Sequence, residues 1–214
     1  GQNRRGERRG RSLAEAASLL EDDQDLLANA DLARMYSQIA TGLLGKPRRV
    51  VLKEGGGFAT DMKGTITADP YPLGREADPR HNLVVTRAGI YHELGHEQFT
   101  PPEVWARVLA VAGGQAESDL GEAGRAMLPR FYNVVEDGRM ERELVTNNAG
   151  VAAGMAASCA LRPRWSGPLG GDSNKAVAAD VTGALLYTGL PYFQVTAAHR
   201  SKMSPRARKI FNDL

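Results

Sequence analysis

The alternation of apolar and polar positions fits two helices over residues 13–28 and 31–44. The first follows "SLAE", a capping box in which the Ser12 hydroxyl and the Glu15 carboxylate satisfy free backbone N–H groups. The second ends at Gly45, ahead of Pro47. The pattern then changes. "RRVVLKE" reads as a strand, as does "MKGTITAD" with its alternating Ile66, and the intervening "GGGFATD" reads as a loop whose glycines permit unusual backbone angles. "YPLGREADPRHN" is a turn-rich connector, "LVVT" (83–86) a short strand or helix lead-in, and a helix follows over about 86–98. Another starts at Pro101 or Pro102. A long helix fits 122–145, with Pro129 as a bend or its true start and Met127, Phe131, Val134 or Val135, and Leu144 as its buried stripe. Small residues over 148–160 suit close helix packing, and the remainder reads as helical with breaks near 167–171, Pro191 and Pro205. The expected fold class is α+β, mostly helical, with a small sheet in the first half.

Composition narrows this picture in three places. No apolar run approaches the roughly 18 residues of a membrane span, and no signal peptide is visible. A single cysteine, Cys159, rules out an intrachain disulfide and a thiolate-built zinc site, so a cytoplasmic setting is the expectation. The net charge of +2 is a property of the tail: five arginines against Glu7 give residues 1–11 a charge of +4, leaving −2 on the other 203. That tail has nothing apolar to bury and is expected to be disordered, with 12–214 forming one domain. It lacks the interleaved aromatics of a dedicated nucleic-acid site, so nucleic acid is not the expected partner.

The chemistry concentrates in "IYHELGHEQFT", Ile90 to Thr100. On a helix, His92 and His96 lie one turn apart on one face and can aim two imidazole nitrogens at a single ion. Neutral imidazole suits zinc, and Glu93, beside the ion and not on it, is placed to act as general base toward a zinc-activated water. Phe99 and Pro102 stand where a metzincin has Gly and His, so the third ligand must come from elsewhere. "FYNVVEDGRMERE" (131–143) supplies carboxylates on a second helix. Glu136, sharing a face with Asn133, Met140 and Glu143, is the expected third ligand; Asp137 is the expected acceptor that holds a ligand histidine N–H, and Arg139 or Arg142 the countercharge.

His92-Glu93-x-x-His96 with Asn133-x-x-Glu136-Asp137 some forty residues on resembles the gluzincin branch of zinc metallopeptidases. The fuller pattern, H-E-x-x-H-x-x-F-T with N-x-x-E-D-x-R-x-E, is similar to metallopeptidase-like domains that bacteria encode beside von Willebrand A domains and AAA+ ATPases. "ERELVTNNAGVAAGM" is more loosely similar to a segment of the large cobaltochelatase subunit. The resemblance covers about 86–155. It implies a zincin-like fold with its sheet packed on the motif helix, bound Zn2+, a peptide or protein substrate, endopeptidase rather than exopeptidase action, and a von Willebrand A or AAA+ partner. It also implies an edge strand that binds substrate backbone, with "MKGTITAD" as that edge and "GGGFATD" as a flap. Thermolysin-like gluzincins carry an acidic residue four positions after the ligand glutamate; here that position is Met140. An oxyanion donor is also not identified by sequence: His199, Tyr187, Tyr192, Tyr91 and Tyr132 are the candidates. These two gaps leave an alternative open, a zinc-stabilised scaffold that no longer cleaves peptides.

Overall fold

The computed structural model describes residues 29–162, 167–190 and 195–214. The expected basic tail, the helix over 13–28 and Tyr192 lie outside the described residues. Helix α1 (29–44) stops at Gly45, whose φ of 64° lets the chain reverse. Two of its hydroxyls stitch it to the start of the sheet: Ser37 Oγ accepts from the Val50 amide at 2.9 Å and Thr41 Oγ1 from the Arg48 amide at 3.0 Å. Strands β1 (Arg49–Leu52), β2 (Phe58–Thr60) and β3 (Thr65–Ala68) form one sheet in the order β1-β3-β2. β1 runs parallel to β3 and β2 antiparallel to it. The strand in "MKGTITAD" is therefore central, and the edge comes from "GGGFATD", which was expected to be a loop. The inward face of β3 follows period-2 burial: Ile66 and Ala68 are both fully buried against Val50, Ile90 and Leu94.

Helix α2 (Pro79–Phe99) starts seven residues earlier than its apolar pattern suggests. Asp78 caps it by accepting from the Arg80 amide, and Pro79 sits at a position where its missing N–H costs nothing. Of the two readings open for "LVVT", short strand or helix lead-in, the structure shows the helix. The stretch is helical because it is anchored on both sides: Asn82 bonds the Leu73 amide and the Gly74 carbonyl, and the Thr86 hydroxyl donates to the Asp69 carbonyl. Ile90 and Leu94 of α2 face the sheet, while Ala88 faces a second cluster with Met140, Leu144, Val151 and Met155. α2 is thus the central element, with the sheet and α1 on one side and two later helices on the other.

Those helices are α4 (Glu122–Asn147) and α5 (Ala149–Leu161); α3 (Pro102–Ala112) lies between α2 and α4 in sequence and packs on α4. α6 (Asn174–Gly189), α7 (Ala197–Lys202) and α8 (Pro205–Asp213) complete the described chain, with Val177, Val181 and Tyr187 of α6 in a third cluster. Pro129 lies inside α4 and does not end it. The buried stripe of α4 agrees with the expected one at Leu144, with Val134 half-buried against the core, and differs elsewhere. Met127, Phe131 and Val135 are exposed, and the inward face of its C-terminal half is Glu136, Asp137, Met140, Glu141 and Leu144. Carboxylates occupy a face that hydrophobicity alone would assign to apolar residues. Among the described residues no helix is long and apolar enough to cross a membrane.

Two glycine contacts set how closely α4 approaches its neighbours. A Cβ on Gly95 would lie 2.1 Å from Met140 Sδ, so the glycine inside "HELGH" is the socket for Met140. A Cβ on Gly138 would lie 2.9 Å from the Gly189 Cα, which fixes α4 against the end of α6 backbone to backbone. Backbone cannot swing aside as a methionine tip can. Gly138→Ala is therefore expected to lower stability by about 1–2 kcal/mol in spite of alanine's better helix propensity, read as a lower urea midpoint with unchanged slope.

Candidate metal centre

α2 and α4 cross so that the two motif histidines face the acidic stripe of α4. His92 Nε2 and His96 Nε2 are 3.2 Å apart, and Asp137 Oδ1 lies 3.5 Å from the first and 3.2 Å from the second. Among the described residues, His92, His96 and Asp137 form a group whose ligand atoms all lie within 4.8 Å of one another and which can hold a metal ion. Two ligand atoms each about 2.0–2.1 Å from a tetrahedral ion stand roughly 3.3–3.4 Å apart. The observed edges fit that spacing.

The hydrogen bonds behind the histidines decide what the Nε2 atoms present. His92 Nδ1 lies 2.7 Å from Glu141 Oε1, and a carboxylate can only accept, so Nδ1 carries the proton. His96 Nδ1 lies 2.9 Å from Thr100 Oγ1, whose single hydrogen goes to Glu136 Oε1 at 2.7 Å. That hydroxyl must therefore accept from His96 Nδ1–H. With both protons assigned to Nδ1, both Nε2 lone pairs point at the Asp137 carboxylate. Three acceptors at 3.2–3.5 Å repel unless a cation, metal or proton, sits among them.

The structure places the two adjacent acids differently from the expectation, and neither accepts a histidine Nδ1–H, which falls to Glu141 and Thr100. Asp137, not Glu136, meets the histidine nitrogens. Successive helix residues differ by about 100° in direction, so only one of two neighbours can face a given point. Glu136 points toward the C-terminal end of α2, where Arg139 holds both its oxygens at 2.8 and 2.6 Å and also donates to the Phe99 carbonyl at 2.6 Å. Burial would raise the Glu136 pKa, but the Arg139 and Thr100 hydrogen bonds outweigh it and hold the carboxyl below its ordinary value. Arg139 is thus the countercharge, while Arg142 donates to the Gly189 carbonyl. Asn133 is exposed and contacts Asp137 only at 3.4 Å.

Glu93 is buried and lines two cavities that meet at the metal group, one of 490 Å³ and one of 600 Å³. His92 and Phe58 also line both. Phe58 belongs to edge strand β2 and lies on Gly89, whose Cβ would come within 2.3 Å of the ring. Glu97 ties the same strand down: it accepts from the Thr60 hydroxyl at 2.6 Å and pairs with Arg48. Of the oxyanion candidates, only Tyr132 lines either cavity among the described residues. Burial, then the nearby Glu136 charge, raises its pKa, so it stays a neutral donor. Tyr187 is fully buried behind the cavity wall, 3.8 Å from Cys159 Sγ. His199 caps α7 through Thr196, and Tyr91 packs in the core.

Two contributors were missed in the sequence. Glu141 follows Asp137 by four residues and Thr100 follows His96 by four, so helical spacing was the signal in both cases. Metal titration should separate the two adjacent acids. Asp137→Asn is expected to abolish stoichiometric zinc binding, whereas Glu136→Gln retains it. Thr100→Val, which keeps the shape and removes the bond to His96, is expected to weaken affinity about tenfold with the fold intact by circular dichroism.

Compared with known protein families, with curated proteins and with solved structures, the chain matches none of them.

Proposed function

We propose that this chain is a zinc-dependent metallopeptidase of zincin-like architecture, with His92, His96 and Asp137 as ligands and Glu93 as general base. The observation that carries the reading is the convergence of two imidazole Nε2 atoms and one carboxylate oxygen at tetrahedral spacing, with a buried glutamate that lines two cavities beside them. Two nitrogens and one oxygen form a donor set suited to zinc rather than to calcium or magnesium, and three protein ligands leave a position open. His92, His96 and Asp137 would hold the ion, which when bound would supply Lewis acidity toward a water and a carbonyl. Glu93 takes the proton from the attacking water and returns it to the departing amine as the C–N bond breaks, so the carboxylate is regenerated in each cycle. Tyr132, the candidate that lines the 600 Å³ cavity, would donate toward developing negative charge there. Strand β2 pairs on one side only among the described residues, and its open side is where an extended peptide can add as a further strand.

With Asp137 as ligand, the acidic residue expected four positions on is Glu141, which holds His92. Met140 therefore no longer argues for an inactive scaffold. Glu93→Gln is expected to lower peptide hydrolysis at least about a hundredfold while zinc stoichiometry stays at one per chain. Full zinc loading with no cleavage of a denatured protein substrate by the unaltered chain would favour the scaffold instead. Absence of zinc binding would remove both readings.

A further inference from the structure

We propose that the 600 Å³ cavity on the His96 side of the metal centre is a specificity subsite for a large apolar or aromatic side chain next to the scissile bond. The proposal rests on the metallopeptidase reading and names the substrate class of that site. The two cavities differ in chemistry. The smaller one ends at Ser158, Cys159 and the exposed Arg162. The larger one has Phe58, Met62, Pro102, Trp105 and Tyr132 around His96.

Trp105 and Tyr132 come from different helices, α3 and α4, and stack with ring centroids 5.6 Å apart at 31°. Both are half-buried, whereas Val108 and Val111 of α3 are buried. Packing of α3 is therefore met by its valines, and the aromatic pair leaves its remaining surface toward the cavity. Offset aromatic surface of this kind gains from a third apolar or aromatic group laid against it.

Met62 gives the second, independent observation. It is the one non-glycine residue among the described residues with positive φ, at 56°, in the turn between β2 and β3. Glycine or asparagine adopts that conformation more readily. The turn holds it all the same: the Met62 amide donates to Thr60 Oγ1 at 3.0 Å, Thr60 is bonded to Glu97, and Asp61 accepts from the Lys63 and Thr65 amides. A strained backbone at this point carries a flexible thioether to the cavity wall. The side chain, not the turn, accounts for methionine here.

The test compares N-acetyl-phenylalanine hydroxamate with N-acetyl-alanine hydroxamate by calorimetry on the zinc-loaded full chain. The phenylalanine compound is expected to bind about ten- to hundredfold tighter, the span for burying one large apolar side chain. Trp105→Ala and Met62→Asn, the latter compatible with the left-handed backbone, should each reduce that ratio to below about threefold while leaving the alanine compound's affinity within about threefold. Ser158→Met, which narrows the other cavity, should leave the ratio unchanged. Equal affinity for the two compounds overturns the proposal, as does discrimination that survives both cavity variants or is lost only in Ser158→Met. If zinc binds and neither hydroxamate does, the metallopeptidase reading fails and this proposal with it, while the zinc site itself stands.

Discussion

Burial of the acidic face of α4 against the histidine face of α2 is the constraint on which the rest of the structure depends. Glu136, Asp137 and Glu141 are all nearly or fully buried, and buried carboxylates are unfavourable unless each meets a donor or a cation. The chain answers each separately. Glu136 takes Arg139 and Thr100, Glu141 takes the His92 N–H, and Asp137 faces the two Nε2 atoms. Because the answers come from both helices, α2 and α4 are fixed in rotation as well as in distance. A small rotation of either would break the Glu141–His92 and Glu136–Thr100 bonds and turn Asp137 away from the nitrogens, leaving only the Glu136–Arg139 pair within α4.

The surrounding residues serve that crossing. Gly95 admits Met140, and Gly138 meets Gly189 across bare backbone, so α4 is held close to α2 on one side and to α6 on the other. Arg139 reaches the last turn of α2 through the Phe99 carbonyl, which ties the end of the motif helix to the same pair of helices. Within "HELGHEQFT" the positions divide their work by direction. His92, Glu93 and His96 face the cavities, Leu94 packs beneath the sheet, Glu97 fastens edge strand β2, and Thr100 holds His96. Nine residues thereby connect a sheet edge to a metal group.

Legibility in the sequence followed the range of the interaction. Local features were readable because they arise within a few residues: the i,i+4 histidines, the glutamate beside them, the helix ends at Gly45 and Pro102, and the strands around Val50 and Ile66. The mostly helical class with a small sheet in the first half followed from the same signals. Errors began where strands or helices had to choose partners. β3 pairs with β1 on one side and β2 on the other, which leaves Phe58–Thr60 at an edge, and strand order is a long-range property that no local pattern states. The "LVVT" stretch, open in the sequence between strand and helix lead-in, is helix because Asn82 and Thr86 have fixed partners at Leu73, Gly74 and Asp69. The inward face of α4 was misassigned because its core-facing positions are acidic, and hydrophobic periodicity cannot register a carboxylate that is buried by pairing.

By itself the sequence determined the chemical kinds present: two imidazoles on one helix face, a carboxylate next to the first, and an acidic helix some forty residues later. Only the tertiary structure decided which acid stands at the nitrogens. Adjacent residues on a helix point about 100° apart, so choosing between Glu136 and Asp137 requires the rotation of α4 about its own axis. That rotation is set by Met140 entering the socket at Gly95, by Gly138 against Gly189, and by Arg139 on the end of α2. All three are contacts between residues far apart in the chain, and no local pattern encodes them.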